Sequence, residues 1–248
     1  MEQFRHILFI DIETVSSVPR FDLLSTGMQE QWARKAKYLK RSVEENKITE
    51  EENNVPALLF EEKAGIFSEF AKVVCIGLGC LVESNGEWNV LLKSITDDDE
   101  KKLLIKFCET LSKFHDRFPN LQFCGHNIKE FDMPFLSRRM VIHGMQLPDC
   151  LQLHGKKPWE ITHLDTLELW RFGDYKHFTS LALLAEVLGI PSPKDDIDGS
   201  MVSDVYWKEN NPERIARYCL QDVYTTARVY FRLKGINNFV PDKQFVAE

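Results

Sequence analysis

With 248 residues, 44% of them hydrophobic and 28% charged, the chain is long enough to bury a core, and its composition sets aside disorder, collagen-like sequence and repeat arrays. Its 31 Lys and Arg against 38 Asp and Glu leave a formal charge of −7, which argues against broad coating of DNA but leaves room for a local basic rim and an acidic metal site. No apolar run approaches the roughly 20 residues that span a bilayer, and the amino-terminal run meets an acid at Asp11, so a cytoplasmic chain without signal peptide or membrane anchor is expected.

His6 to Glu13 (HILFIDIE) reads as a buried strand with acids at its end. Met28 to Asn46 has helical spacing and carries the basic run Arg34 to Arg41, and Glu50 to Asn54 reads as a loop or ragged helix end. Lys72 to Glu83 and Trp88 to Ile95 are strand-like and flank Ser84-Asn85-Gly86-Glu87, a hairpin turn. Acids open a helix from about Asp98 to His115. A short strand, Leu121 to Asn127, enters a turn before a helix over Lys129 to Gly144. THLDTLELW reads as a strand end running into a helix. Thr179 to Leu188 reads as a helix, and so does Pro212 to about Lys234, with Pro212 suited to the first turn. The economical arrangement is one mixed α/β sheet flanked by helices. The six cysteines form no C-x-x-C pair, which excludes zinc-ribbon and thioredoxin sites and leaves buried reduced thiols.

The most informative feature is Asp11-x-Glu13. Side chains two apart on a strand share a face, and two acids side by side at the end of an apolar strand persist when something cationic sits between them or when both face water. Asp132 stands at the start of a helix in GHNIKEFDMPFL, where an acid also compensates the helix dipole. Tyr218 and Asp222, four apart on a predicted helix, project from one face, so that a phenol and a carboxylate can share a water.

FIDIET, GHNIKEFDMPFL and YCLQDVYTT resemble, in order and spacing, the three motifs of the DEDD (DnaQ-like) 3'-5' exonucleases, and Tyr218 is similar to the tyrosine subclass. The second motif is most similar to that of the stand-alone exonucleases related to the proofreading domain of family-B DNA polymerases. The resemblance spans about residues 6–232, and the rest of the chain is too short for a polymerase domain. It implies an RNase H-like fold with a central mixed five-stranded sheet, as a single exonuclease domain over 1–248 with a helical insertion at about 20–70. It also implies that Asp11, Glu13, Asp132 and Asp222 bind two Mg²⁺ or Mn²⁺ ions, with Tyr218 beside the attacking water. The oxygen-rich donor set agrees with such hard cations. The implied reaction is release of nucleoside 5'-monophosphates from single-stranded 3' ends, DNA more than RNA. A catalytically silent nucleic-acid-binding module and an exoribonuclease are the rival readings.

By the same resemblance Thr14, Asn127 and Phe131 are substrate-binding candidates; a strand-end Thr, a turn-stabilising Asn and a core Phe are the ordinary alternatives. Asp165 can be a fifth acid or a helix cap. The basic run, with Trp32 and Tyr38 interleaved, reads either as a single-strand contact by charge and stacking or as a solvated helix. Gly77-x-Gly79 lacks the third glycine of a dinucleotide site. Protein partners and oligomeric state are not legible.

Overall fold

The computed structural model describes residues 1–41, 55–191, 197–237 and 239–245. Its elements in chain order are β1 (Ile7–Ser16), α1 (Thr26–Arg41), α2 (Val55–Lys63), β2 (Ala71–Ser84), β3 (Glu87–Thr96), α3 (Glu100–Arg117), β4 (Gln122–Gly125), α4 (Asp132–Ile142), β5 (Leu164–Asp165), α5 (Thr166–Arg171), α6 (Leu181–Val187), α7 (Val202–Trp207), α8 (Pro212–Leu233) and β6 (Asp242–Phe245). The strands form one mixed sheet in the order β5-β4-β1-β2-β3-β6, in which β2 runs antiparallel to both of its neighbours. The expected α/β architecture is present, but with six strands where five were expected. The extra strand, β6, adds parallel to β3 at the sheet edge. It is four residues long and mostly exposed, too short to show a period of two in sequence.

The Asn85-Gly86 turn joins β2 to β3 with positive φ at both residues (54° and 79°). That is the backbone of the two-residue turns whose twist matches a hairpin. Asp99 caps α3, accepting from the amides of Lys101 and Lys102, so the helix begins at Glu100. Asn211 caps α8 in the same manner, with Pro212 in the first turn. The helix expected from Lys129 starts instead at Asp132, because Asn127 takes a left-handed backbone (φ 63°) and residues 128–131 form a turn.

Helices cover both faces of β1, which explains its unbroken apolar run. Leu8, Ile10 and Ile12 pack with Leu103, Phe107, Phe135 and Leu136 of α3 and α4. Ile7 and Phe9 pack on the opposite face with Val223, Ala227 and Phe231 of α8. Between β1 and β2, α1 and α2 form their own cluster around Trp32 and Phe60. Trp32 is fully buried, and its indole N–H donates to the Pro56 carbonyl at 2.7 Å. It therefore cannot stack on a nucleic acid, which corrects that part of the reading of the basic run. Tyr38 is exposed. Lys35 is directed over the Phe67 ring, 3.9 Å from its centroid. Residues 42–54, with the end of the expected first helix and the Glu50 to Asn54 loop, lie outside the described residues.

All six cysteines are free. Among the described residues no helix is long and apolar enough to cross a membrane.

Candidate active site

The alternation of β1 decides where its acids point. The odd positions Ile7, Phe9 and Val15 face α8 and α7, and Asp11 and Glu13 share their parity, so both carboxylates project toward α8. Between Glu13 and Thr14 the pairing with β2 slips: Glu13 opposes Cys75, Thr14 opposes Val73, and Val74 is the extra residue. Such a bulge beside a site re-aims side chains locally.

α8 supplies the facing groups. The Cys219 Sγ lies 3.4 Å from the Asp11 carbonyl oxygen and 3.5 Å from Asp11 Oδ2. One residue earlier, the Tyr218 hydroxyl donates to the Asp222 carboxylate one turn along. α8 can come this close because β2 carries glycine beneath it. A Cβ on Gly77 would lie 2.8 Å from Cys219 Sγ and 2.9 Å from Val223, and a Cβ on Gly79 would lie 2.8 Å from Val223. Gly77 pairs with Asp11 across the strands. The Gly-x-Gly of β2 is therefore a seat for α8, a role its sequence did not disclose; the available signal was two glycines on one face of a largely apolar strand.

Asp132 arrives from the other face. β4 pairs with β1 only through Ile7, Leu8 and Phe9, so farther along β1 the edge is open to the start of α4, and Asp132 Oδ1 accepts the Ile12 N–H at 3.1 Å. The turn before α4 is fixed by Asp165, whose Oδ1 accepts from the amides of Asn127, Leu167 and Glu168 and whose Oδ2 accepts from Lys129. Asp165 is thus the cap of α5 and the clamp of the second motif.

Asp11 and Glu13 on β1 thus lie within electrostatic reach of Asp132 from α4 and of Asp222 from α8, and Tyr218 is under the influence of Asp222, Glu13 and Asp11. Burial first, then the charges of Glu13, Asp132 and Asp222, push Asp11 well above the usual carboxylate range. Burial, then Asp222, Cys75 and Asp132, do the same to Glu13. Burial carries Asp132 up to about 7 even though backbone N–H groups, Ile12 among them, pull it down. Among the described residues, the groups that shift Asp11 and Glu13 include no cation. Buried carboxylates that repel one another without a counter-ion make a site for a bound cation. Oxygen atoms of Asp11 and Glu13 and the Cys219 sulfur all lie within 4.8 Å of one another. The sulfur is the poorest donor of the three: burial pushes the Cys219 thiol well up, so it remains an S–H donor to Asp11 and leaves a hard, all-oxygen ligand set. Burial, then Asp222, Glu13 and Asp11, also raise the Tyr218 phenol far above its ordinary 10.0.

Of the other candidates, Thr14 commits its hydroxyl to the Gly65 carbonyl at 2.7 Å, tying the segment after α2 to β1. Asn127 holds the turn by its left-handed backbone and by its backbone N–H, which donates to Asp165 Oδ1. Phe131 is half-buried against the core, its ring 5.4 Å from that of Phe135.

The arrangement is that of an α/β protein with a cluster of buried acids within its central strand β1, which continues past them to Ser16 and so does not end at the acids as the sequence suggested. Residues 63–248 match the family described as predicted 3'-5' exonucleases related to the exonuclease domain of PolB, and the chain belongs to that family. The match includes Asp132, Tyr218 and Asp222 and begins after Asp11 and Glu13. An uncharacterized protein of Methanocaldococcus jannaschii is 24% identical over 180 residues, 70% of this chain and 92% of that one. The family B DNA polymerase of the archaeon Pyrobaculum calidifontis has a similar fold, with a TM-score of 0.52 and 17% identity over 92% of this chain; the chain spans 24% of that polymerase.

Proposed function

We propose that the chain is a metal-dependent 3'-5' exonuclease, a single domain over 1–248, that removes nucleoside 5'-monophosphates from single-stranded 3' ends, DNA in preference to RNA. The observation that supports this is the burial of Asp11, Glu13 and Asp132, with Asp222 within electrostatic reach of the first two, where burial and the neighbouring acids push the Asp11 and Glu13 carboxyls up. These four would hold two Mg²⁺ or Mn²⁺ ions, which when bound supply Lewis-acid contact to the phosphate and ease deprotonation of a water.

The remaining chemistry belongs to the chain's own residues. Tyr218 stays protonated at neutral pH, so it orients the attacking water through its oxygen and does not act as the base. The S–H of Cys219 holds the Asp11 carboxylate in place. Thr14, through its backbone N–H, and Asn127 and Phe131, beside the second motif, hold the terminal nucleotide. Attack of water on the last phosphodiester breaks the P–O3' bond, leaving a 3'-hydroxyl on the shortened strand and the phosphate on the released nucleotide.

The test uses 5'-labelled and 3'-labelled single-stranded DNA and RNA of one sequence, with Mg²⁺, Mn²⁺ or EDTA. Stepwise shortening from the 3' end is expected, lost in EDTA and reduced at least about 10³-fold in Asp11→Ala and Asp222→Ala, the scale on which removed catalytic groups act. Undiminished activity in both variants, or none in the wild type with any strand and metal, overturns the proposal.

A further inference from the structure

The segment from Arg171 to Thr179, joining α5 to α6, takes no part in the chemistry proposed above, yet it displays three large aromatic side chains to solvent. Phe172 is 86% exposed, Tyr175 75% and Phe178 64%. Exposure of that much aromatic surface in so short a stretch costs hydration and marks an interaction surface. Phe172 adds a second oddity, because its backbone is left-handed (φ 45°, ψ 32°). A bulky L-residue rarely adopts that conformation, and such strain gathers where a side chain must be presented. Basic side chains accompany the rings. The Arg171 guanidinium carbon lies 5.6 Å from the Tyr175 centroid, and Lys176 follows, while the acid of the segment, Asp174, is occupied by the Lys176 amide and the His177 ring.

Both ends of this segment are fastened to the turn that delivers Asp132. At one end Arg171 meets Glu130 at 3.4 Å. At the other, the His126 Nε2 lies 2.8 Å from the Thr179 carbonyl oxygen, and the His126 ring packs edge-on to Phe178, 6.3 Å between centroids. The exposed rings therefore hang from the same turn that leads into Asp132.

The geometry points to Phe172, Tyr175 and Phe178 as a stacking platform for the unpaired bases of a single-stranded nucleic acid whose 3' end lies in the acidic pocket. Aromatic faces separated by cations suit this partner, because every base offers a π-face and every linkage a phosphate. The inference rests on the proposed function for the polarity of the strand, but not for its binding.

The test measures equilibrium binding in EDTA, where no hydrolysis is needed. Fluorescent oligothymidylate, oligouridylate and an abasic strand of equal length are titrated with wild type, Phe172→Ala, Tyr175→Ala and the double variant, with Phe172→Trp and Tyr175→Phe as rescues. Each lost ring is expected to weaken oligothymidylate binding roughly tenfold, with both rescues near wild type and little change for the abasic strand. Equal losses on oligouridylate assign the platform to either nucleic acid; a loss confined to one assigns it to that one. A double variant that binds oligothymidylate as tightly as wild type overturns the inference, as does an equal loss on the abasic strand. Ring-dependent binding by a wild type that hydrolyses nothing would sustain the platform and sink the exonuclease. Strand degradation with an unchanged KM in the double variant would do the reverse.

Discussion

Glu100 and Asp132 are nearly matched. Each is the first residue of a helix, each is buried (7% and 3% exposed), and each accepts a strand amide, Val73 for one and Ile12 for the other. Their surroundings then diverge. Glu100 is met by Arg139, with Nε at 2.9 Å and Nη2 at 2.5 Å, and by the His143 Nε2 at 2.7 Å. Arg139 spends its remaining arm on the Ser68 carbonyl at 2.8 Å. Burial alone would raise the Glu100 carboxyl, yet the bonds from Arg139, His143 and Val73 outweigh it and hold the group below its ordinary 4.5. Burial raises Asp132 to about 7 with Asp165 adding to it, and the backbone N–H groups that bind it do not offset the rise. The same residue class in the same local frame is a closed structural pair in one place and an open, unbalanced site in the other. What separates them is whether the chain itself supplies the cation.

The largest expected effect comes from opening the closed pair. Arg139→Met leaves Glu100 buried without its main partner and should cost about 3–5 kcal/mol in chemical denaturation, whereas adding Glu100→Gln to it should recover part of that loss. The pH dependence follows from the lowered Glu100 value. Its contribution is fully present above the ordinary 4.5 and is lost as pH falls through the lower folded value, so Glu100→Gln should flatten the acid limb of the stability profile. A smaller effect is expected at Gly77. Gly77→Ala drives a methyl into Cys219 and Val223, costing about 1–3 kcal/mol. Because the displaced element is α8, nuclease activity should fall by more than the loss of folded protein explains.

The smallest effect has the opposite sign. Asp132 is raised, so metal-free protein should lose stability as pH climbs from its ordinary 3.8 through about 7. Asp132→Asn keeps an oxygen for the Ile12 amide and removes the charge. It should raise the metal-free Tm at pH 8 by about 2–4 °C for each kcal/mol relieved while abolishing activity. A metal-free Tm that falls in this variant would mean that Asp132 is held by an unrecognised cation.

Much of this frame was legible in the chain. The apolar run ending in Asp11-x-Glu13, the Asn85-Gly86 turn, and Asp99 and Pro212 at helix starts each act within a few residues, and local chemistry suffices to read them. The spacing of Tyr218 and Asp222 disclosed a shared helical face for the same reason. What escaped depends on partners far along the chain. Trp32 looked available for stacking until its cluster with Phe60 was seen. Gly77 acquires meaning only once α8 lies over it, Arg139 only beside Glu100, and β6 only as an addition to β3. The exposed rings of Phe172 and Tyr175 were likewise unmarked, since sequence does not tell a buried aromatic from a displayed one.

The central claim is that the buried carboxylates of Asp11, Glu13 and Asp132, together with Asp222, bind cations from solution. Calorimetric titration of metal-free protein with Mn²⁺ at neutral pH tests it most directly. Uptake of two ions per chain is expected in the wild type, accompanied by proton release from the raised carboxyls, with uptake strongly weakened in Asp11→Asn and Asp222→Asn. Undiminished uptake in both variants, or no uptake by the wild type, would contradict it.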